Sequence, residues 1–576
     1  MKLNKEQSEK LQVLRHSAAH LLAQAVTELF PKTKLTIGPA TKDGFFYDFQ
    51  PESNFKESDL EAIEKRMKEL ASQDIAITHE EIPKDKAREI YKDNPFKMEL
   101  IDQIPGDTVG FSRQGDFYDL CRGGHVASTK ELKAVMLTGV SGSYWRADQN
   151  NAALQRISGI AFFTDKELRT YLKQKELAAK YDHRKLGKDM DLFSFQEAGT
   201  GFPFYHPKGA FIINQLKDFI RSIWRKHHYQ EIITPSTLDV SLWQTSGHYE
   251  HYKNHMYFSN IEDKEYAIKP MNCPGSILVY KQNLHSYRDL PLKLAEFGHV
   301  HRFELSGVLH GLFRTRAFTI DDTHIYCTPD QIEQEIVKSV KIIDQILTAF
   351  GFETINYAVS TKPDNAMGDD NLWETATAAL QNGLKAAGKE FAIYEGEGAF
   401  YGPKIEVTIH DSMGREWQCS TIQADFFLPK NFELNYIDNQ GKKQTPVIIH
   451  QALLGSLERF FGIILEHFKG HLPFWLAPTQ VTVIPITSEQ EEYANNIYQQ
   501  LKDKGIRTTL NTTSEPLSAK IKSAQLQKTP WMLVTGQKEV DNNTITLRHV
   551  TGKQEFGLTL ASIIQRAEQE NHIEIP

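Results

Sequence analysis

The sequence predicts a multidomain α+β protein with three folded units and one helical linker. Three observations carry this expectation. The chain has 576 residues, several domains' worth, and 40% are hydrophobic, enough for real cores. Helix-like and strand-like periodicities alternate along it. The pattern also changes twice: at Lys166–Lys188, a helical stretch rich in Lys and Arg, and after Trp475-Leu476-Ala477-Pro478. The predicted boundaries follow: 1–165, a linker over 166–188, 189–475 and 476–576.

Composition narrows the classes of function. Charged residues make up 24%, which favours neither disorder nor a membrane protein, and no uninterrupted apolar run reaches spanning length. The N-terminal MKLNKEQSEKLQ has no apolar signal core. Four cysteines without paired spacing indicate a reducing compartment, so a cytoplasmic location is expected. A net charge of −8 argues against wholesale polyanion binding, but phosphate contact needs only a local basic surface.

The first unit alternates helices and strands. A helix over 8–30 carries Arg15-His16-Ser17-Ala18-Ala19-His20, with both histidines on one face. Later, Asp119-Leu120-Cys121-Arg122-Gly123-Gly124-His125 sets a thiol and an imidazole four apart. These types together could bind zinc. A metalloprotease is excluded, because position 17 is Ser where that chemistry needs a Glu base. Either pair alone reads as ordinary polar packing.

The second unit opens with a helix over 209–226, apolar at helical spacing, then a strand Glu231–Thr234 and Pro235. His248 follows in Ser246-Gly247-His248-Tyr249, and Cys273 in Lys269-Pro270-Met271-Asn272-Cys273-Pro274-Gly275. Next come two β-like segments, His299–Leu305 and Arg316–Tyr326, joined by a Gly/Ser-punctuated loop. On a strand Arg302 and Glu304 share a side, Arg314 and Arg316 stand at the return, and Asp322 and His324 share the next face. An Arg beside a Glu suits a phosphate-bearing ligand whose base offers donors. A salt-bridged surface hairpin would explain one such pair, though less readily three arginines with an Asp-His pair. Helices over Asp330–Phe350 and Leu372–Ala387 flank a strand Thr354–Ser360. Alternating strands then run from Phe400-Tyr401-Gly402-Pro403-Lys404 to Trp417–Phe426. In His450–Phe468, Gly455 and Arg459 are expected four apart on one helix. Strands Gln480–Ile486, Thr508–Leu510 and Trp531–Val534 with helix Glu489–Lys504 make a small α/β unit at the end.

Arg302-Phe303-Glu304 resembles the second signature motif of class II aminoacyl-tRNA synthetases. The surrounding LSGVLHGLFRTRAFT and DDTHIYC resemble the threonyl-tRNA synthetase version, and the likeness extends over nearly the whole chain. It implies an antiparallel-sheet catalytic domain flanked by an N-terminal α+β editing domain and a C-terminal α/β anticodon-binding domain. The implied member is bacterial in type, without the ubiquitin-like domain that many relatives carry before residue 1.

The same resemblance implies residue roles. Arg302 takes the α-phosphate of ATP, Arg314 and Arg459 the γ-phosphate, Glu304 the adenine amino group, and Phe318 stacks on the base. Lys404 and Gln418 lie near the adenylate, and Met271, Asp322, Tyr401 and Gln423 bind threonine. His248 serves the transfer step. Cys273, His324 and His450 hold one Zn2+ per subunit, although their spacing alone is weak evidence of a metal site. Magnesium accompanies ATP, tRNA(Thr) is the macromolecular substrate, and the helix, strand and proline at 209–235 form a homodimer interface. His16, His20, Lys97, Asp119, Cys121 and His125 carry hydrolytic editing of seryl-tRNA by positioned water, without an obligatory metal.

The two sets of histidines explain each other chemically. Shape alone separates threonine from isosteric valine by only about 10–200-fold. A three-ligand zinc keeps a position for the β-hydroxyl that valine lacks. Serine satisfies the metal and loses roughly 1 kcal/mol of methyl burial, so it leaks through and a hydrolytic site is needed. Three positions depart from the family pattern: Gly124 for a common Pro, Ala317 for Gly and Ile320 for Gln. The competing readings are a prolyl or seryl enzyme and a non-catalytic RNA-binding relative.

Overall fold

The computed structural model describes residues 5–364 and 366–573. It divides into two compact units, Met1–Glu176 and Leu177–Pro576.

In the first unit, helix Lys5–Leu29 buries Leu11, Leu14, Ala18, Leu21, Leu22 and Ala25 at three- and four-residue spacing. Each buried leucine contributes about 1.5–3 kcal/mol. Antiparallel strands Lys34–Leu35, Phe45–Gln50, Ala153–Phe162 and Ala134–Tyr144 pair in that order. Helix Asp59–Ser72 joins the same core through Ile63, Met67 and Leu70. A second sheet orders Ile77–Pro83, Thr108–Gln114 and Phe117–Leu120.

The second unit is built on an eight-stranded sheet. Its order is Gln230–Glu231, Leu292–His301, Ala317–Cys327, Val447–Ser456, Glu416–Asp425, Lys404–His410, Ile355–Ser360 and Phe391–Tyr394. The six central strands are antiparallel, and both edge strands pair parallel. Side-chain alternation divides the faces. Ile325 and Cys327 enter the main core with helices Pro207–Lys226, Ile332–Ala349 and Leu457–His467. Residues 318, 320, 322 and 324 therefore point to the opposite face.

A five-stranded sheet closes the chain, ordered Thr508–Leu510, Val481–Pro485, Trp531–Thr535, Ile545–His549 and Gln554–Leu558. The first three strands are parallel and the last two antiparallel. Helices Glu491–Asp503 and Leu560–Asn571 bury Ile497, Leu501 and Ile563 against it.

Three local expectations change. The strand expected to 305 ends at His301, because Phe303 turns its N–H to the His255 carbonyl at 2.8 Å. Arg302 and Glu304 therefore lie in a loop, not on one strand face. Gly455 belongs to strand Val447–Ser456 at φ +82°, a conformation no helix accommodates, and Ser456 caps the helix that carries Arg459. The stretch 166–188 forms two helices, Asp165–Lys180 and His183–Asp189, and the second is anchored by buried His183, Leu186 and Gly187. Among the described residues no helix is long and apolar enough to cross a membrane.

Candidate functional site

Sheet register gathers the side chains. His324 pairs with His450, His450 with Gln423, and Gln423 with Lys404, so four expected site residues form one row across four strands. Asp322, two residues from His324, heads the next row opposite Ala452. Above these rows lies a cleft of about 340 Å³, within the usual range for small-ligand sites. Met271, Cys273, Arg302, Asp322, Tyr401, Gln418, Gln423, His450 and Arg459 line it.

At the cleft floor Cys273, His324 and His450 are all buried, with ligand-type atoms within 4.8 Å of one another. Neither ring nitrogen of His324 has a hydrogen-bond partner, nor has His450 Nδ1. Buried polar atoms are rarely left so. A thiol meeting two imidazoles that have three ring nitrogens without hydrogen-bond partners is a donor set that suits zinc. His450 Nε2 donates to Asp425 Oδ2 at 2.9 Å, which fixes the ring.

The cleft walls carry polar groups at two levels. Tyr401 donates its hydroxyl to Gln423 Oε1 at 2.9 Å, and Asn272 Nδ2 donates to Asp322 Oδ2 at 3.1 Å. Arg302 donates through Nε to the Pro270 carbonyl at 3.2 Å, with its guanidinium 5.1 Å from the Phe318 ring. Arg459 Nε is buried without a partner. Four other expected residues stand back from the wall. Glu304 and Arg314 bind each other at 3.0 Å across the loop. Lys404 pairs with Glu406 at 2.6 Å. His248 is fully buried, its Nε2 3.1 Å from Met271 Sδ, and burial with nearby Arg302 pushes its pKa down to about 3.

The first unit holds a second cluster. His16, His20, Cys121 and His125 present ligand-type atoms within 4.8 Å, close enough for a metal as well as for water. Cys121 Sγ lies 3.1 Å from both His16 Nε2 and His125 Nε2. Burial lowers the pKa of His20 to about 3 and of His125 to about 4, and raises that of Cys121, so all three stay neutral. Beneath them Lys97 Nζ meets Asp119 Oδ1 at 2.5 Å, both nearly inaccessible to solvent, and Tyr47 donates to Asp119 Oδ2 at 2.6 Å. Gly124 stands at φ +82°, where a proline ring could not be placed.

Sequence reasoning missed several supports. Asp425 orients His450, Asn272 holds Asp322, Tyr47 holds Asp119, and Ser17 Oγ sits 3.2 Å from His125 Nδ1. Only Ser17 carried a local signal, lying between the two histidines of HSAAH. The others are joined by tertiary contacts alone.

Family models match three stretches: a tRNA synthetase class II core domain (G, H, P, S and T) over 256–468, an anticodon binding domain over 480–570, and the threonyl and alanyl tRNA synthetase second additional domain over 109–158. The threonine–tRNA ligase of Carboxydothermus hydrogenoformans is 50% identical over 546 residues, 94% of this chain and 86% of that protein. That of Clostridium tetani is 49% identical over 546 residues, 94% of this chain and 85% of that protein. Among solved structures, the RNA binding domain of threonyl-tRNA synthetase from Cryptosporidium parvum has a TM-score of 0.65 at 41% identity, covering 69% of this chain and 99% of that one. Giardia lamblia prolyl-tRNA synthetase, at 16% identity and TM-score 0.56 over 69% of this chain and 80% of that one, shares the fold. With a class II core, an anticodon-binding domain and the second additional domain in one chain, this protein belongs to the threonine–tRNA ligases, the threonyl-tRNA synthetase family.

Proposed function

We infer that the chain activates threonine with ATP as a threonyl-adenylate, transfers it to tRNA(Thr), and hydrolyses seryl-tRNA at a separate site. In the first step the threonine carboxylate attacks the α-phosphate and pyrophosphate leaves. Such a displacement needs positioning and charge neutralisation more than covalent help. Arg302 neutralises the α-phosphate, and Arg314 and Arg459 the γ-phosphate with magnesium. Glu304 and Phe318 hold the adenine once Glu304 leaves Arg314. Gln418 and Lys404 hold the adenylate.

Bound by Cys273, His324 and His450, zinc would offer the amino group and β-hydroxyl of threonine a ligand position that valine cannot fill. Asp322, steadied by Asn272, accepts the hydrogen bond of that hydroxyl. Tyr401 and Gln423 bracket the amino acid, and Met271 limits the cleft beside it. His248, held neutral, acts in the transfer step through the wall it shares with Met271.

For seryl-tRNA, neutral His16, His20, Cys121 and His125 orient a water, and the Lys97–Asp119 pair fixes the floor beneath them. A cytoplasmic homodimer completes the reading. Its support is the edge strand Gln230–Glu231, followed by Ile233 at 93% exposure.

One observation carries the reading: a buried Cys-His-His set with three unpartnered ring nitrogens, at the floor of a cleft whose wall bears Arg302 and Arg459. It is tested by amino-acid-dependent exchange of labelled pyrophosphate into ATP, with bound metal quantified. Exchange strong with threonine, weaker with serine and absent with valine and proline, at about one zinc per chain, is the expected result. No exchange with any amino acid despite bound zinc would overturn it.

A further inference from the structure

We propose that His183 is a positioning residue for ATP: backed by Glu466, its imidazole pins the turn Gly311–Phe313, from which Arg314 reaches the nucleotide. The inference rests on the assignment of Arg314 to ATP made above.

The geometry begins with the helix His183–Asp189. Asp182 caps it by accepting the Arg184 N–H at 2.8 Å, which sets His183 in the first turn. Glu466, on helix Leu457–His467, receives the His183 backbone N–H at 2.8 Å and Nδ1 at 2.7 Å on one oxygen. On the other side of the ring, the Leu312 N–H lies 3.0 Å from Nε2. A backbone N–H only donates, so Nε2 carries the lone pair and Nδ1 the proton. The chain Glu466–His183–Leu312 thus has one proton arrangement, and His183 and Glu466 are both buried.

The turn is shaped for this contact. Gly311 has φ +51°, and a Cβ there would stand 2.2 Å from His183 Nε2. Phe313 lies with its ring 4.1 Å from His183 and 4.3 Å from Trp417. A Cβ on Gly462 would meet Phe313 at 2.8 Å, so the turn also sits directly on the helix backbone. The second oxygen of Glu466 meets Arg415 at 2.5 Å, and Arg415 shares Asp411 with Trp417 Nε1. Glu466 therefore joins the turn to the strand that begins at Glu416 and carries Gln418. Beyond Phe313 the Arg314 backbone is still held, its carbonyl accepting the His310 N–H at 3.2 Å. The Arg314 side chain, by contrast, is 55% exposed and, among the described residues, paired only with Glu304. A phosphate-binding arginine on a short arm gains from a fixed root, because less freedom remains to be lost on binding.

The test uses the full chain and threonine-dependent pyrophosphate exchange, with KM for ATP and threonine measured separately. His183→Asn keeps the donor to Glu466 but offers Leu312 no acceptor, whereas His183→Gln sets an amide oxygen near the position of Nε2. His183→Asn should lower kcat/KM for ATP roughly 10- to 100-fold through KM, leaving KM for threonine unchanged. His183→Gln should recover most of the loss. Gly311→Ala should reproduce the Asn effect, and the double variant should be no worse than either. Arg314→Ala is the control. If it raises KM for ATP and His183→Asn does not, the proposal is overturned. The proposal is also overturned if both His183 variants lose affinity for ATP and threonine alike. If Arg314→Ala leaves KM for ATP unchanged, the assignment of Arg314 fails and the proposal with it.

Discussion

Asp425 holds His450 by a 2.9 Å hydrogen bond from Nε2, so the unpartnered Nδ1 is the nitrogen left to hold a ligand. The other Asp425 oxygen receives the N–H groups of Phe427 and Leu428 at 2.8 and 3.0 Å, which fixes the carboxylate itself. In Asp425→Asn the amide oxygen keeps those backbone bonds and an amide N–H turns to Nε2. The imidazole must then move its proton to Nδ1 and lose its donor electrons there. Zinc affinity is expected to fall on the order of 10- to 100-fold, measured by chelator competition. Unchanged affinity would show that His450 is not a ligand.

Lys97 and Asp119 form an ion pair from which water is excluded. Burial pushes the Asp119 carboxyl up, but the Lys97 ammonium and the Tyr47 hydroxyl together hold it below its usual value. A depressed carboxyl stabilises the fold above its unfolded value near 3.8, and the stabilisation is lost as pH falls through the folded value. Lys97→Met strands the carboxylate and should cost about 3–5 kcal/mol near neutral pH. The cost should shrink as pH falls toward 4 and be partly relieved by a second change, Asp119→Asn. Denaturant unfolding followed by a probe in the first unit measures it; a pH-independent loss would contradict the account.

Glu458 points the opposite way. Buried against Thr319 N–H at 2.8 Å, its carboxyl is raised from 4.5 to about 7. The folded state then keeps a proton that the unfolded chain releases, so stability declines as pH rises from 4.5 to about 7. Glu458→Gln removes the titration. Relative to the parent it should gain roughly 3 kcal/mol between pH 4.5 and pH 8. Parallel unfolding curves for parent and variant across that range would refute it.

Arg302 and Arg459 face the cleft with little competing for them, since Arg459 Nε has no partner at all. Replacing either with Ala should lower threonine-dependent pyrophosphate exchange on the order of 10²–10³-fold. Zinc content should stay at the parent level, because neither belongs to the Cys-His-His set. Loss of zinc along with activity would mean that the cleft had collapsed instead.

Much of the fold was legible along the chain because the signals were local. Apolar spacing placed helices near 8–30 and 330–350, and they are found at Lys5–Leu29 and Ile332–Ala349. The errors fall where a long-range contact overrides the local pattern. Arg302 and Glu304 alternate like strand residues, yet Phe303 bonds to His255, 48 positions earlier, and the strand stops. Gly455 and Arg459 have helical spacing, but a Cβ at Gly455 would meet the Cys419 carbonyl at 2.7 Å, so a strand ends there.

The kinds of chemistry present can be read from the order of residues: thiol and imidazole donors, arginines beside a carboxylate, and the strings that mark a class II synthetase of the threonyl type. Those depend on residue identity and on spacing within one element. Which groups support them depends on contacts made when the chain folds. His324, His450, Gln423 and Lys404 align because antiparallel register sets them opposite one another. Asp425 on His450, Lys97 on Asp119 and Glu466 on His183 are partners separated by 25, 22 and 283 positions. Spacing along a chain reports on neighbours within a turn or a strand; the contacts that fix a proton or compensate a buried charge are chosen when the sheet and helices close.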